Sequence, residues 1–565
     1  MSIWQRINYQ NVLLAALVVL LFAMVLMPLG FLLYAAFWSA PAGDPEGVFT
    51  FNNFLKAFGT SDSWAAILNS LLLGAVVTGI TVPAGFGLAW LVRRTNIPAR
   101  GLLNTLMVVP LFISPLLLSL AYIALANPRT GFLNLMLRAI FGFMGAGPLN
   151  IYTFGGIVFL LSSHLVPYAY LNIAAVLGTI DSSYEEAAKI SGASGFKVLR
   201  DVIIPIVLPA ILSAALIVFV LAAEQFTIVT LLGPNAHFVT MPYLIYISVT
   251  FYPADPNFAA AMGVILLVIT GVGIYFYRKM AVQAFKFVTI TGKGSRLQIA
   301  DIGRWRYVAL TGCLVYILLA IVLPYIAIVL GSFLDYITHQ ITWDKFTLEN
   351  YARMFRGSDN ILAIGNTLLL AVLGASVGVT FALLLAFIVQ RFKTVKGRGI
   401  LDYLCMMPIS IPGLSLALGL LWTYLYLPVP IYGTIWVLLV AYITRFLAQG
   451  YRISSSSLLQ IGPELEEAAR VSGASSLRAL ANVTVPILAT PLLSSWVIIF
   501  ILAALEVSVT IILYSSQSLT MSVAIWNQMA MGDTVVAYAM SVILGGIGLI
   551  VIIVAQKVFG VFKYV

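Results

Sequence analysis

A chain of 565 residues that is 61% hydrophobic and only 9% charged cannot hide its apolar surface in a water-soluble core, and its repeated apolar runs suit a hydrocarbon layer instead. The net charge of +10 does not point to nucleic acid, because the Lys and Arg residues sit in short segments between those runs. The two cysteines, Cys313 and Cys405, lie inside apolar runs and read as small apolar fillers, which excludes a disulfide framework or a cysteine metal pair.

Spans are predicted at 11–38, 65–92, 102–126, 152–180, 206–233 and 259–277, then at 308–333, 361–390, 400–426, 432–451, 488–514 and 536–556. The expected fold is therefore an all-α membrane protein of about 12 transmembrane helices, six in each half. The first run is too long for a cleavable signal, and no small-residue cleavage site clearly follows it. With the amino terminus inside, 23 of the 30 Lys and Arg residues fall on the inner face and 6 on the outer, with Arg445 left within a span. The positive-inside rule then puts both termini in the cytoplasm.

The outer stretch Phe49-Thr50-Phe51-Asn52-Asn53-Phe54 is echoed 297 residues later by Phe346-Thr347-Leu348-Glu349-Asn350-Tyr351, and Asn69-Ser70 by Asn366-Thr367 at the same offset. The chain is thus a duplication, and six spans per half make the repeat parallel, about an axis along the membrane normal. Further on the offset drops to 281, so the first half holds 16 extra residues, which fall in the outer loop around 127–150. That loop is the added surface expected for an external partner, or a neutral insertion. The domains expected are 1–280, a cytoplasmic linker 281–307, and 308–565.

Each third span carries two prolines, Pro110 and Pro115 in one half and Pro408 and Pro412 in the other. A proline removes a donor and bends a helix, which hydrocarbon tolerates only where other groups or water satisfy the freed carbonyls. These helices are therefore expected to bend and to line a path. Ionisable groups within the spans are few: His164 and Arg445 are 281 apart in the fourth spans, and Glu224 and Glu506 are 282 apart in the fifth. Each would cost on the order of 3 kcal/mol facing lipid, so they should face the bundle interior. They either line and gate a passage, or Arg445 pairs with a carboxylate and braces the helices.

The longest polar feature occurs twice. Glu186-Ala187-Ala188-Lys189-Ile190-Ser191-Gly192-Ala193-Ser194 runs on to Pro205, and Glu467-Ala468-Ala469-Arg470-Val471-Ser472-Gly473-Ala474-Ser475 runs on to Pro486, every position 281 apart. Glu, Ala, Lys and Arg favour helix, and Gly192 and Gly473 can take the left-handed conformation that ends one helix and starts another at an angle. Small residues leave a low surface that another protein can approach. The linker's Thr291-Gly292-Lys293-Gly294-Ser295 does not form a phosphate loop, since position 287 is Phe and Gly294 follows the lysine. It reads as a basic bridge attracted to anionic lipid.

The doubled motif, near 181–206 and 462–487, resembles the EAA loop of bacterial ABC import permeases, and the chain as a whole resembles two fused permease domains of the type I ABC importer fold. The segment Ala441-Tyr442-Ile443-Thr444-Arg445-Phe446-Leu447, leading to Leu465-Glu466-Glu467-Ala468-Ala469-Arg470, is similar to the second half of ferric-iron permeases, although Ala448 stands where a proline often follows Phe-Leu. The resemblance implies a bacterial inner-membrane permease without catalytic residues, metal site or cofactor of its own. Its implied partners are two cytoplasmic ATPase subunits carrying ATP and Mg, a periplasmic binding protein and membrane lipid, with no nucleic acid. The EAA residues would be the coupling helices that dock into the ATPases. Ferric iron is the expected cargo; thiamine, phosphonate, polyamine, sulfate and molybdate are the alternatives in the same class. A major-facilitator secondary transporter shares the two parallel halves but leaves the repeated loops unexplained.

Overall fold

The computed structural model describes residues 9–41, 44, 46–142, 145, 147–286, 299–340, 342–392 and 397–559. Thr291–Ser295 of the basic bridge lies outside them. Among the described residues eight helices are long and apolar enough to cross a membrane, and up to eleven crossings result if each of three sharply bent pairs counts as one. In chain order the elements are α1 (Ala15–Ala36), α2 (Ser61–Arg94), α3 (Arg100–Phe112 with Pro115–Ala126), α4 (Phe154–Leu177), α5 (Gly195–Ala223) and α6 (Pro256–Met280). The second half supplies α7 (Trp305–Ser332), α8 (Ser358–Arg391), α9 (Arg398–Ser410 with Gly413–Tyr426), α10 (Ile435–Gln460), α11 (Ser476–Ile487 with Ala489–Ala504) and α12 (Thr534–Lys557). α10 is the remaining predicted span; its 26 residues are ample in length, but Arg445, Gln449, Arg452 and four serines lower its hydropathy.

Proline shapes these helices in two ways. In α3 and α9 it breaks the helix, with bends of 96° and 110°. Pro110 and Pro408 sit in 3-10 turns, Val109–Phe112 and Met407–Ser410. Pro115 then opens the second segment of α3 behind the Ser114 cap, a position where its missing N–H costs nothing, and Pro412 takes the cap position in α9 with φ −57° and ψ 143°. Elsewhere a proline follows a single π turn: Pro28, Pro205 and Pro324 come after Phe22–Leu26, Leu199–Ile203 and Leu318–Val322 in helices that continue, while Pro486 comes after Leu480–Thr484, just ahead of the 82° bend of α11. The residue before each proline donates five residues back, as Ile204 does to Leu199, so the wider turn makes room for the ring.

The chain folds as two compact units that cut across the sequence halves. One comprises 1–58, 245–267 and 351–565, the other 59–244 and 268–350. In the first, α1 packs on the second segment of α9: Tyr34 meets Trp422 and Tyr426 edge-on, and Gly419 lies against the Pro28 carbonyl. In the other, α7 packs on the second segment of α3, where the Tyr122 hydroxyl donates to Leu319 O at 2.8 Å. A Cβ on Gly419 would run into the Pro28 backbone, so Gly419→Leu is expected to lower stability by about 2 kcal/mol in a denaturant titration.

The two sequence echoes are both asparagine fasteners. Asn53 Nδ2 donates to Ala36 O and Trp38 O at 3.0 and 2.9 Å, and Asn350 Nδ2 to Ser332 O and Leu334 O at 3.0 and 2.6 Å, closing the turn after each first span. Asn69 donates to Val239 O, and Asn366 to Gln517 O and Leu519 O, holding the loop after each fifth span. The extra outer loop is partly helical. Phe132–Phe141 is held by buried Asn134, which donates to Asn127 O and Leu149 O and accepts from the Leu149 N–H, while Met136, Ile140 and Phe141 stay exposed.

Candidate functional site

Both repeated loops form the helix-turn-helix their sequences favour. In the first, helix Ser182–Ile190 starts behind Asp181, whose carboxylate accepts the Ser183 N–H at 2.9 Å and is held below the usual carboxylate range chiefly by that bond. It ends where Gly192 takes φ +84°. Ser191 N–H returns to Ala187 O and Ala193 N–H to Ala188 O, so the two alanines of the motif supply the carbonyls that close the helix. Ser194 then caps the start of α5 through the Lys197 N–H, and that helix runs through its π turn to Pro205.

The second loop starts behind Pro463 without a side-chain cap but repeats the turn and the serine cap that follows it. Helix Glu464–Val471 ends at Gly473, φ +91°, with Ser472 N–H on Ala468 O and Ala474 N–H on Ala469 O, and Ser475 caps Arg478. Glu186 and Glu467 are exposed. Around them stand three matched apolar side chains per loop: Tyr184, Ile190 and Phe196, and Leu465, Val471 and Leu477, with Ile190 87% and Val471 90% exposed. A polar loop that presents its largest apolar groups to the outside has the character of a docking surface.

One pair of residues escaped the sequence reading. The glutamate preceding each motif, Glu185 or Glu466, is buried and ion-paired, to Arg94 at 3.0 Å and to Arg391 at 3.0 Å respectively. The signal was present: the two arginines share the 297 offset and the two glutamates the 281 offset.

Within the spans, Arg445 Nε lies 3.3 Å from Glu506 Oε2, with the two side chains 20% and 9% exposed. Arg445 Nη1 also donates to Ile411 O at 3.4 Å, a carbonyl in the break of α9 between Pro408 and Pro412. Gly413 leaves room for the guanidinium, since a Cβ there would stand 2.9 Å from Nη1. Glu506 follows the end of α11, and its Oε1 accepts the Val509 N–H at 3.0 Å. The corresponding Glu224 follows the end of α5, and His164 lies against the Pro110 backbone in the break of α3. In both halves the midpoint of the fourth span therefore meets the proline break of the third. Arg445 has the carboxylate partner that a brace requires. Among the described residues no three His, Cys, Asp or Glu side chains cluster as metal ligands would.

Comparison with known proteins agrees with this architecture. Residues 81–286 and 378–559 match the family described as binding-protein-dependent transport system inner membrane component. The ferric transport system permease protein FbpB of Actinobacillus pleuropneumoniae is 27% identical over 542 residues, 94% of this chain and 75% of its own. A Haemophilus influenzae protein provisionally named as a ferric transport permease is 28% identical over 80% of this chain and 70% of its own. Among solved structures, a bacterial ABC transporter that imports the acidic polysaccharide alginate aligns with a TM-score of 0.41 at 20% identity, over 50% of this chain and 98% of that one. The chain belongs to the family of binding-protein-dependent transport system inner membrane components, as a non-catalytic, multi-pass permease subunit of an ABC importer carrying two copies of the permease domain.

Proposed function

We propose that this permease imports ferric iron handed over by a periplasmic binding protein, driven by two ATPase subunits that grip the loops around Glu186 and Glu467. The observation that carries the cargo is the similarity to a ferric transport permease, which extends over 94% of the chain and so through both halves. The exposed Ile190, Phe196, Val471 and Leu477 support the ATPase contact, and both loops fall on the face that receives most of the Lys and Arg residues, the cytoplasmic one together with both termini.

In this reading ATP and Mg stay on the ATPases, and the chain works by conformational preference. ATP closes the ATPases, the coupling helices follow, and the outward state gains the affinity that the inward state loses. The breaks of α3 and α9, with His164, Glu224, Arg445 and Glu506, line or gate the passage, and the outer helix Phe132–Phe141 offers the binding protein a surface. Iron is selected by the binding protein before it reaches the membrane.

Purification from the native membrane in mild detergent tests this. An ATPase that copurifies with an iron-loaded binding protein is the expected result. A binding protein holding another solute would replace the cargo, and transport-active chain without any ATPase would overturn the coupling role of the loops.

A further inference from the structure

Two arginines at the inner ends of α2 and α8 reach three equivalent acceptor residues, each through its own choice of nitrogens. Arg94 gives Nη1 to Glu185 Oε1 at 3.0 Å, Nε to Leu177 O at 2.9 Å and Nη2 to Ile180 O at 2.9 Å. Arg391 gives Nε to both Glu466 oxygens at 3.0 and 3.1 Å, and Nη2 to Leu458 O at 3.2 Å and Ile461 O at 2.9 Å. All three acceptors recur at an offset of 281. Leu177 and Leu458 belong to the last turns of α4 and α10, where carbonyls lack helical partners and the dipole favours a cation. Ile180 and Ile461 lie in the connection that follows, and Glu185 and Glu466 in the coupling helices themselves.

The planar fork of a guanidinium can satisfy acceptors in three directions at once, which a lysine ammonium on its flexible stem does poorly. Burial makes the joint stiff: the Arg94 and Glu185 side chains are 2% and 7% exposed, and those of Arg391 and Glu466 12% and 8%. Thr484 Oγ1 also donates to Glu466 Oε1 at 3.0 Å, adding the π turn in the first segment of α11. Each cation therefore gathers the inner end of the second span, the end of the fourth span and the coupling helix around one point.

We propose that Arg94 and Arg391 are positioning residues for energy coupling: each clamps its coupling helix to the second and fourth spans, so that a push on the loop moves those spans as one body. This rests on the importer reading, and it assigns the transmission to residues outside the motif. The exposed Glu186 and Glu467 meet the partner, while the buried neighbours Glu185 and Glu466 pass the motion inward.

The test begins with the full chain alone, independent of ATPase and cargo. Nitroxide labels at Ala84 on α2 and Lys189 on the coupling helix, with Cys313 and Cys405 replaced by alanine, report their separation by pulsed electron resonance in lipid nanodiscs. A narrow distribution in the parent and a clearly broader one in Arg94→Met is expected; equal widths would overturn the clamp. The assembled complex is tested next, with 55Fe-loaded binding protein and ATP hydrolysis followed in the same vesicles. Arg94→Met with Arg391→Met should keep hydrolysis while transport per ATP falls about tenfold. Replacing both members of each pair, Arg94→Met with Glu185→Met and Arg391→Met with Glu466→Met, removes the stranded carboxylates and should restore thermal stability without restoring coupling. Coupling that returned together with stability would make the pairs mere braces and overturn the proposal. A wild-type complex that moves no iron leaves the spin-label result standing and counts against the cargo instead.

Discussion

Arg445→Met should lower the unfolding free energy of the permease by about 3 kcal/mol, because it strands a buried carboxylate. Glu506 is 9% exposed and would keep a single bond, from the Val509 N–H, in surroundings where an unpaired charge is costly. The Ile411 carbonyl, freed by the break of α9, would lose its donor as well. Arg445→Lys should fall in between, since an ammonium can hold Glu506 but not reach Ile411 equally well. Adding Glu506→Gln to Arg445→Met should recover most of the lost stability in an unfolding titration. Transport by that double variant separates the two roles: recovery alongside stability marks the pair as a brace, and continued loss marks it as part of the passage.

The second large effect is expected at the turns of the two repeated loops. Gly192 and Gly473 stand at φ +84° and +91°, and nothing lies within 4 Å of a Cβ built on either, so substitution there meets backbone strain and no neighbour. A residue with a Cβ costs about 1–2 kcal/mol in this conformation, and a β-branched one fits it worst. Relief of that strain would re-aim helices Ser182–Ile190 and Glu464–Val471 while leaving the spans inserted. Gly192→Val combined with Gly473→Val should therefore cut transport per ATP about tenfold or more. Gly192→Asn with Gly473→Asn should retain most of it, since asparagine tolerates the left-handed region. Wild-type transport in the valine variant would remove these loops from the coupling path.

Local chemistry is what the sequence made legible. The doubled offset announced the duplication, Gly192 and Gly473 announced their turns, and Pro110, Pro115, Pro408 and Pro412 announced the bends, because each signal is carried by a few neighbouring residues. Partner choice is another matter. Arg94 reads as one more inner-face positive charge beside Arg93 and Arg100, and only the folded chain turns it inward to Glu185. Glu185 and Glu186 are alike as letters and opposite in exposure, a difference set by which side of a short helix meets α2. Helix Phe132–Phe141 was hidden among glycines, since its anchor Asn134 gains its value from carbonyls at Asn127 and Leu149. The placement of α1 with α9 has no periodicity at all to betray it, because a repeat shows which parts are alike and not which parts touch.

That last placement bears on how the protein is made. Pro28 and Tyr34 leave the ribosome long before Gly419, Trp422 and Tyr426, the residues they finally rest against. At synthesis rates of about 5–20 residues per second, α1 waits in the bilayer for roughly 20–80 s before that surface exists. The second segment of α3 waits likewise for α7. The first half cannot finish folding as it emerges, and carrying both halves on one messenger and one polypeptide ensures that each early helix meets its late counterpart at a ratio of one to one.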